Sequence, residues 1–321
     1  MNTVNVRAYG KVNLGLDVTG RRADGYHLVR MIMQTVNVCD ELTISAEPVS
    51  AEESELQPLI DANGDLSDAH NAANGREESP FLISLECNVP DVPTDNKNIA
   101  YKAAEIICRE YGISAHIHIN INKNIPAAAG MAGGSADGAA VIRGLDEIFA
   151  LHMSEEQKDN IALRLGADVP FCLRHGTYLA EGIGEVLTRV SDLPHCYMVI
   201  VKPDFGVSTP WAYKALDEYI KTHSDDAGSM HPDIDRLIAA LDEGSISKIA
   251  GSMGNILEIV TIEANPQIQE IKDSLERFGA IRALMSGSGP TVFGIFEEET
   301  AADEAIAFFS GREYGKFKVE F

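Results

Sequence analysis

Residues 115–149 constrain the fold more than any other stretch of this 321-residue chain. Ala115-His-Ile-His-Ile-Asn-Ile121 alternates apolar and polar side chains with the period of two of a half-buried strand. It runs into Pro126-Ala-Ala-Ala-Gly130-Met-Ala-Gly133-Gly134-Ser135-Ala-Asp137-Gly-Ala-Ala140, beyond which Val141, Leu145, Ile148 and Phe149 recur at helical spacing. The segment therefore reads as strand, glycine-rich loop and helix. A helix N-terminus carries free N–H groups and a partial positive charge, and glycines let an anion approach the backbone, so such a turn can cradle a phosphate. Ser135 is placed either to cap the helix or to donate to phosphate.

The loop lacks both the Lys-Ser/Thr ending of a Walker loop and the G-x-G-x-x-G spacing of a dinucleotide turn. A Gly/Ala-rich turn before a helix also serves as a plain tight connection, so the loop alone leaves both readings open. The whole chain narrows them. Its formal net charge of −23 argues against a nucleic-acid surface or an anionic membrane as partner, since both require clustered Lys and Arg. No apolar run approaches the ~20 residues that span a bilayer. Met1-Asn-Thr-Val-Asn-Val-Arg7 lacks the apolar core of a signal peptide, so a cytoplasmic protein is expected. The five cysteines are scattered without a C-x-x-C pair, which suggests neither a disulfide framework nor a zinc site. His116 and His118 share one strand face as a metal pair does, but without a third ligand that face reads as exposed polar strand.

In chain order, Val4 to Val18 reads as strand material broken by Gly10 and Gly15, and it carries Lys11-Val-Asn13. Asp24-Gly25 signals a turn that presents Tyr26 and His27. Strand pairing is expected over 28–45. Residues 46–80, with nine acids against one arginine, read as a solvated, mobile insertion. A helix is expected over Asn98–Ile107 with Asp95-Asn96 as its start signal, and a polar helix near 154–165. In Gly166-Ala-Asp168-Val-Pro170-Phe171, proline keeps the apolar run out of a helix interior, and Asp168 by itself reads as a turn cap. Gly176 to Leu187 reads as a hairpin, and Tyr197 to Val201 as a buried strand. Alternating helices and strands with antiparallel hairpins indicate an α+β architecture. Ser286-Gly-Ser-Gly-Pro-Thr291 is a Gly/Ser turn running straight into an apolar strand.

Three of these pieces, Lys11-Val-Asn13, the 126–137 loop and Ser286–Thr291, resemble in order the three motifs of the GHMP kinase superfamily, which includes the galactokinases, homoserine kinases and mevalonate kinases. Asn13, Arg22-Ala-Asp24-Gly25-Tyr26-His27, Gly133-Gly134-Ser135-Ala136-Asp137 and Gly166-Ala167-Asp168-Val169-Pro170 are similar to one branch of it, the 4-diphosphocytidyl-2-C-methyl-D-erythritol kinases. The resemblance spans nearly the whole chain outside 46–80. It implies a two-domain fold with a ribosomal protein S5 domain 2-like N-terminal half, a ferredoxin-like C-terminal half and an active site in the cleft between them. The expected division is an ATP-binding domain at 1–190 and a substrate-binding domain at 191–321.

The resemblance further implies phosphorylation of one hydroxyl of a cytidine-diphosphate-linked polyol, in the non-mevalonate route to isoprenoid precursors, with ATP as donor and Mg2+. Asp168 would be the general base and Lys11 its electrostatic partner. Pro126, Ala127, Ala128, Ala129, Gly130, Met131, Ala132, Gly133, Gly134, Ser135 and Ala136 would bind the nucleotide phosphates, with Asn98 near the adenine. Tyr26 and Tyr213 would sandwich the cytosine, His27 would bond its edge, and Asn13 and Thr209 would orient the polyol and its phosphates. The chain departs from the pattern by alanine at 127, 128, 129 and 132, where crowding rather than positive φ is expected. The serine that helps hold magnesium in several relatives is absent around 133–134, so the sequence assigns no metal ligands. A homoserine or mevalonate kinase would not need Tyr26 and His27, and a nucleotide-binding sensor would need neither Lys11 nor Asp168.

Overall fold

The structure is a computed structural model that describes residues 2–49, 80–223 and 230–321. The chain opens with two long strands, β1 (Asn2–Arg21) and β2 (His27–Glu47). β3 (Leu82–Cys87), α1 (Ile99–Tyr111) and β4 (His116–Asn122) follow, then α2 (Gly133–Ile148), α3 (Glu155–Leu165) and the single turn α4 (Val169–Cys172). The hairpin of β5 (Thr177–Glu181) and β6 (Val186–Arg189) leads to β7 (Tyr197–Lys202). Next come α5 (Thr209–Thr222), α6 (Ile234–Asp242), α7 (Ile246–Ser252), β8 (Gly254–Asn255), α8 (Glu258–Ala264) and α9 (Gln267–Arg277). The chain ends with β9 (Arg282–Met285), β10 (Val292–Phe296), α10 (Glu299–Phe308) and β11 (Gly315–Glu320). This is the α+β architecture expected.

Two compact units emerge, each discontinuous in sequence, because β1 and β2 contribute to both. The first holds described residues 2–8, 40–49, 80–124 and 134–173. Its strands lie in the order β3-β4-β2-β1. β4 is antiparallel to β2, with Leu42 opposite Ile121 and Ile44 opposite Ile119, and parallel to β3, with Leu85 opposite Ile119. All of these side chains are buried, so the period of two in the sequence became one apolar sheet face. α1 adds the buried stripe Ala100, Ala103, Ala104 and Ile107, spaced as a helix face requires. α3 begins with a capping box of Ser154 and Gln157, which satisfies two otherwise orphaned backbone donors.

The second unit holds described residues 9–39, 125–133, 174–223 and 230–321. Its antiparallel sheet runs β11-β7-β10-β9, with helices between β7 and β9 and between β10 and β11. That is the ferredoxin-like β-α-β-β-α-β order. α9 and α10 pack on this sheet, and every residue of β10 is buried. β5 pairs with β2 and β6. β6 ends at Arg189 and β7 begins at Tyr197.

Two local expectations change. β1 is unbroken at Gly10 and Gly15. A Cβ on Gly15 would lie 2.8 Å from Leu237 Cδ2 and 2.9 Å from Ile234 Cδ1, so this glycine admits α6 onto the strand. Residues 46 and 47 belong to β2, with Ala46 opposite Ile117, so the expected insertion does not begin there, and its residues 50–79 lie outside the described residues. Pro170 sits in the first turn of α4, where its missing N–H has no intrahelical role. Among the described residues, no helix is long and apolar enough to cross a membrane.

Candidate active site

Alternation along β1 puts Lys11 and Asn13 on one face, where Lys11 Nζ donates to Asn13 Oδ1 at 2.8 Å. Both side chains are buried, and Asn13 Nδ2 contacts Met31 Sδ at 3.2 Å. The backbone of the same stretch joins the other two motifs. Lys11 N donates to Met131 O at 3.1 Å. Asn13 N donates to Ser286 Oγ at 3.3 Å, and Ser286 Oγ donates to Gly130 O at 3.1 Å. The first motif, the glycine-rich loop and the Ser286 turn thus meet at one buried hydroxyl. Asn255 braces that turn by donating to Met285 O and Gly287 O, each at 2.8 Å, and accepting from Leu257 N at 3.0 Å. The sequence reading had passed over Asn255.

Residues 126–132 form the loop, and α2 starts at Gly133. Ser135 is the third residue of that helix, so it does not cap it. φ is positive at every second loop residue, 50° at Ala128, 73° at Gly130 and 57° at Ala132. The expectation of negative φ at the alanines therefore fails at 128 and 132. Alternating φ curls successive backbone N–H groups toward one side, the geometry of an anion-binding nest. An alanine in the left-handed region costs about 1–2 kcal/mol, so the loop stores strain where the cradle is expected. Gly134 is exposed, and a Cβ there would meet only Ile99 Cδ1 at an ordinary 3.7 Å. At Gly138, one turn on, a Cβ would lie 2.6 Å from Ile99 Cγ2. Gly138 is thus a packing glycine, whereas packing leaves Gly134 free to vary.

Within the first unit, Lys123 anchors the ends of β4 and α2. Its Nζ donates to Asp40 Oδ2 at 2.6 Å and Asp137 Oδ2 at 2.8 Å, while Asp40 Oδ1 accepts from Asn124 N at 2.6 Å. Asp40 is 0% and Asp137 2% exposed. Burial, reinforced by the Asp40 charge, pushes Asp137 up to about 8 against the pull of Lys123. Burial alone would lower Lys123, but the two carboxylates outweigh it and raise the amine. Asp137 Oδ1 is buried without a hydrogen-bond partner. Asp137 stood in the sequence motif, but Lys123 and Asp40 were not recognised as its partners.

Asp168, half-buried in the same unit, precedes α4, and its carboxylate does not cap that helix. Asn98 caps α1: its Oδ1 accepts from Ala100 N at 2.9 Å and its Nδ2 donates to Pro93 O at 2.7 Å. The start signal expected at 95–96 is a turn, in which Asp95 Oδ1 accepts from Lys97 N.

In the second unit, α5 carries Thr209, Tyr213 and Asp217 four residues apart, hence on one face. Thr209 Oγ1 lies 2.8 Å from Ser288 Oγ in the Ser286 turn. The Tyr213 ring packs on that of His27, centroids 4.8 Å apart and tilted by 33°. Asp217 Oδ1 is 2.8 Å from His27 Nε2, and Asp217 Oδ2 accepts from Arg21 at 3.1 Å. Tyr26 follows the Asp24-Gly25 turn and is 61% exposed. Asp217 was not anticipated, although its spacing from Tyr213 was a readable signal.

Comparison with known proteins places this geometry. The GHMP kinases N terminal domain model matches residues 98–176, and the GHMP kinases C terminal model matches residues 236–315. A 4-diphosphocytidyl-2-C-methyl-D-erythritol kinase of Acetivibrio thermocellus is 42% identical, covering 100% of this chain and 99% of its own. A crystal structure of 4-(cytidine 5'-diphospho)-2C-methyl-D-erythritol kinase superposes with a TM-score of 0.72 at 26% identity, covering 99% and 98% of the two chains. A homoserine kinase from Cytophaga hutchinsonii reaches 0.73 at 19% identity over 100% and 95%, a likeness of fold alone. Shape does not separate the branches, but full-length identity does: the chain belongs to the GHMP kinases and, within them, to the 4-diphosphocytidyl-2-C-methyl-D-erythritol kinase family.

Proposed function

We propose that this kinase transfers the terminal phosphoryl group of ATP to one hydroxyl of 4-diphosphocytidyl-2-C-methyl-D-erythritol, in the synthesis of isoprenoid precursors. The observation that carries the reading is the junction at Ser286, where the strand bearing Lys11 and Asn13, the glycine-rich loop and the Ser286 turn share hydrogen bonds. Phosphoryl transfer needs mainly positioning and charge neutralisation, which a backbone nest, a helix N-terminus, one lysine and one carboxylate supply.

In this reading residues 126–136 hold the phosphates of ATP through backbone N–H groups, and Asn98 fixes the start of α1 beside the adenine. Asp168 takes the proton of the attacking hydroxyl as the O–P bond forms, and Lys11 offsets charge on the transferring group. Asn13 and Thr209 orient the polyol and its phosphates, and Tyr26 and Tyr213 grip the cytosine. Asp217 holds the His27 ring through Nε2, which leaves Nδ1 for the edge of the base. Within the loop and first turn, Asp137 is buried against Lys123, so the Ser135 hydroxyl is the side-chain oxygen there that would hold Mg2+. Nucleotide phosphates and water would complete the coordination of that ion, which neutralises phosphate charge. Residues 1–190 carry the ATP-binding residues and 191–321 contribute Thr209 and Tyr213 to the substrate, with Asn13, Tyr26 and His27 of the N-terminal part joining them.

The test is steady-state phosphorylation of the cytidine-linked polyol by wild type and Asp168→Asn. The variant should still bind ATP while kcat falls by about two powers of ten or more. Near-normal kcat would remove Asp168 from the role of base.

A further inference from the structure

The outer face of β4 carries a second cluster of chemistry-bearing side chains, none of them among the residues assigned above. Ile117, Ile119 and Ile121 turn inward, and His116 and His118 point the other way. The two imidazoles lie 3.9 Å apart, tilted by 30°. The third ligand that the sequence reading lacked comes from β2, where Glu47 stands opposite His116 in the antiparallel register. Its Oε1 is 2.8 Å from His118 Nε2. On the other side, Ser84 of β3 stands opposite His118, and its Oγ lies 2.8 Å from His118 Nδ1 and 3.1 Å from His116 Nε2.

A hydroxyl has one proton and two lone pairs, so between two neutral imidazoles Ser84 donates to one and accepts from the other. With His118 Nε2–H given to Glu47, His118 Nδ1 accepts from Ser84 and His116 Nε2–H donates to it. Three strands thereby hold two imidazoles and a carboxylate in one place, with one ligand atom from each of Glu47, His116 and His118 lying within 4.8 Å of the others. All three are half-exposed, so a cation can reach them. Imidazole nitrogens suit borderline metals, and two of them with one carboxylate form a three-protein-ligand set that leaves a position for water. Magnesium, which prefers oxygen ligands throughout, is a poor fit.

We propose that Glu47, His116 and His118 form a binding site for a divalent transition-metal ion of the zinc class, with Ser84 as the positioning residue that aims both imidazoles. Each ligating nitrogen must present a lone pair, so a neutral imidazole that carries its proton there shifts it to the other ring nitrogen, and a charged imidazole releases one proton to solvent.

The experiment uses the full chain, freed of any affinity tag and stripped with a chelator. Zn2+ is titrated calorimetrically, and Co2+ by its visible absorption. Wild type should take up one Zn2+ per chain at this site, and Co2+ should give the intense bands of a low-coordinate N/O site. His118→Ala and Glu47→Gln should each weaken Zn2+ binding by more than tenfold, and Ser84→Ala by about tenfold, the cost of losing a group that orients a ligand. Because these side chains are half-exposed, thermal unfolding of each metal-free variant should match wild type. Absence of stoichiometric binding by wild type, or binding unchanged in His118→Ala, would overturn the proposal. Its failure would leave the kinase reading untouched, since kcat and KM of the metal-stripped variants should equal those of wild type.

Discussion

Ser286 Oγ donates to the carbonyl oxygen of Gly130, 156 residues earlier, at 3.1 Å and accepts from the backbone N–H of Asn13. One buried hydroxyl thus ties three distant pieces of chain together. Ser286→Ala leaves a buried donor and a buried acceptor unsatisfied, which costs about 1–3 kcal/mol. The urea midpoint should fall accordingly, and the KM for ATP should rise because Gly130 loses its anchor. An unchanged midpoint would mean that the junction re-forms through other groups.

Gly134 and Gly138 separate a ligand effect from a packing effect. Gly134→Ala meets no crowding and adds helix propensity, so the melting temperature should hold or rise slightly. If phosphate contacts this turn, the KM for ATP should nevertheless rise about tenfold. Gly138→Ala forces its Cβ into Ile99 and should lower the melting temperature. Unchanged ATP kinetics in Gly134→Ala would return the turn to a structural role.

The strained loop supports a third comparison. Ala132→Gly removes a left-handed strain of about 1–2 kcal/mol while loosening the unfolded chain by about 0.4–1 kcal/mol. Stability should therefore stay level or improve. Ala127→Gly, at a position without positive φ, should destabilise, and calorimetric scans of the two variants compare them directly. Equal losses in both would show that φ does not govern the loop.

Asp137 gives a pH dependence of definite sign. Its folded value lies above its unfolded value, so its contribution to stability is present in acid and is lost as pH rises from the ordinary carboxylate range of 3.8 to about 8. Asp137→Asn abolishes that slope. The stability of wild type relative to the variant should fall between pH 5 and pH 8, measured by urea unfolding at each pH. A constant difference would show that Asp137 titrates normally.

These tests rest on features that were unequally legible in the sequence. The strand, loop and α2 were readable because period two, glycine and helical period follow one another within thirty-five residues. Gly15 was misread because a glycine that admits a neighbouring helix looks, in one dimension, like one that breaks a strand. Asp40 left a signal that went unused. It occupies the inward phase of Val36, Val38, Leu42 and Ile44, where a charge must find a partner. Asn98 reads as the first helical residue rather than the cap because its capping bond to Ala100 depends on where α1 actually starts. Asn255 has no local signature, since its two acceptors lie 30 and 32 residues away. Glu47 became a third ligand beside His116 and His118 only through strand register, which a single sequence does not display.

The most direct test of the account is substrate choice. Wild type with ATP and Mg2+ is offered the cytidine-linked polyol, the same polyol phosphate without cytidine, homoserine and mevalonate, and kcat/KM is measured for each. The account predicts a marked preference for the cytidine-linked polyol. Tyr213→Ala should raise its KM about tenfold or more, as loss of a base–aromatic contact worth roughly 1–3 kcal/mol requires, with the KM for ATP unchanged and Tyr213→Phe nearly silent. Equal or better turnover of a substrate lacking cytidine would contradict it.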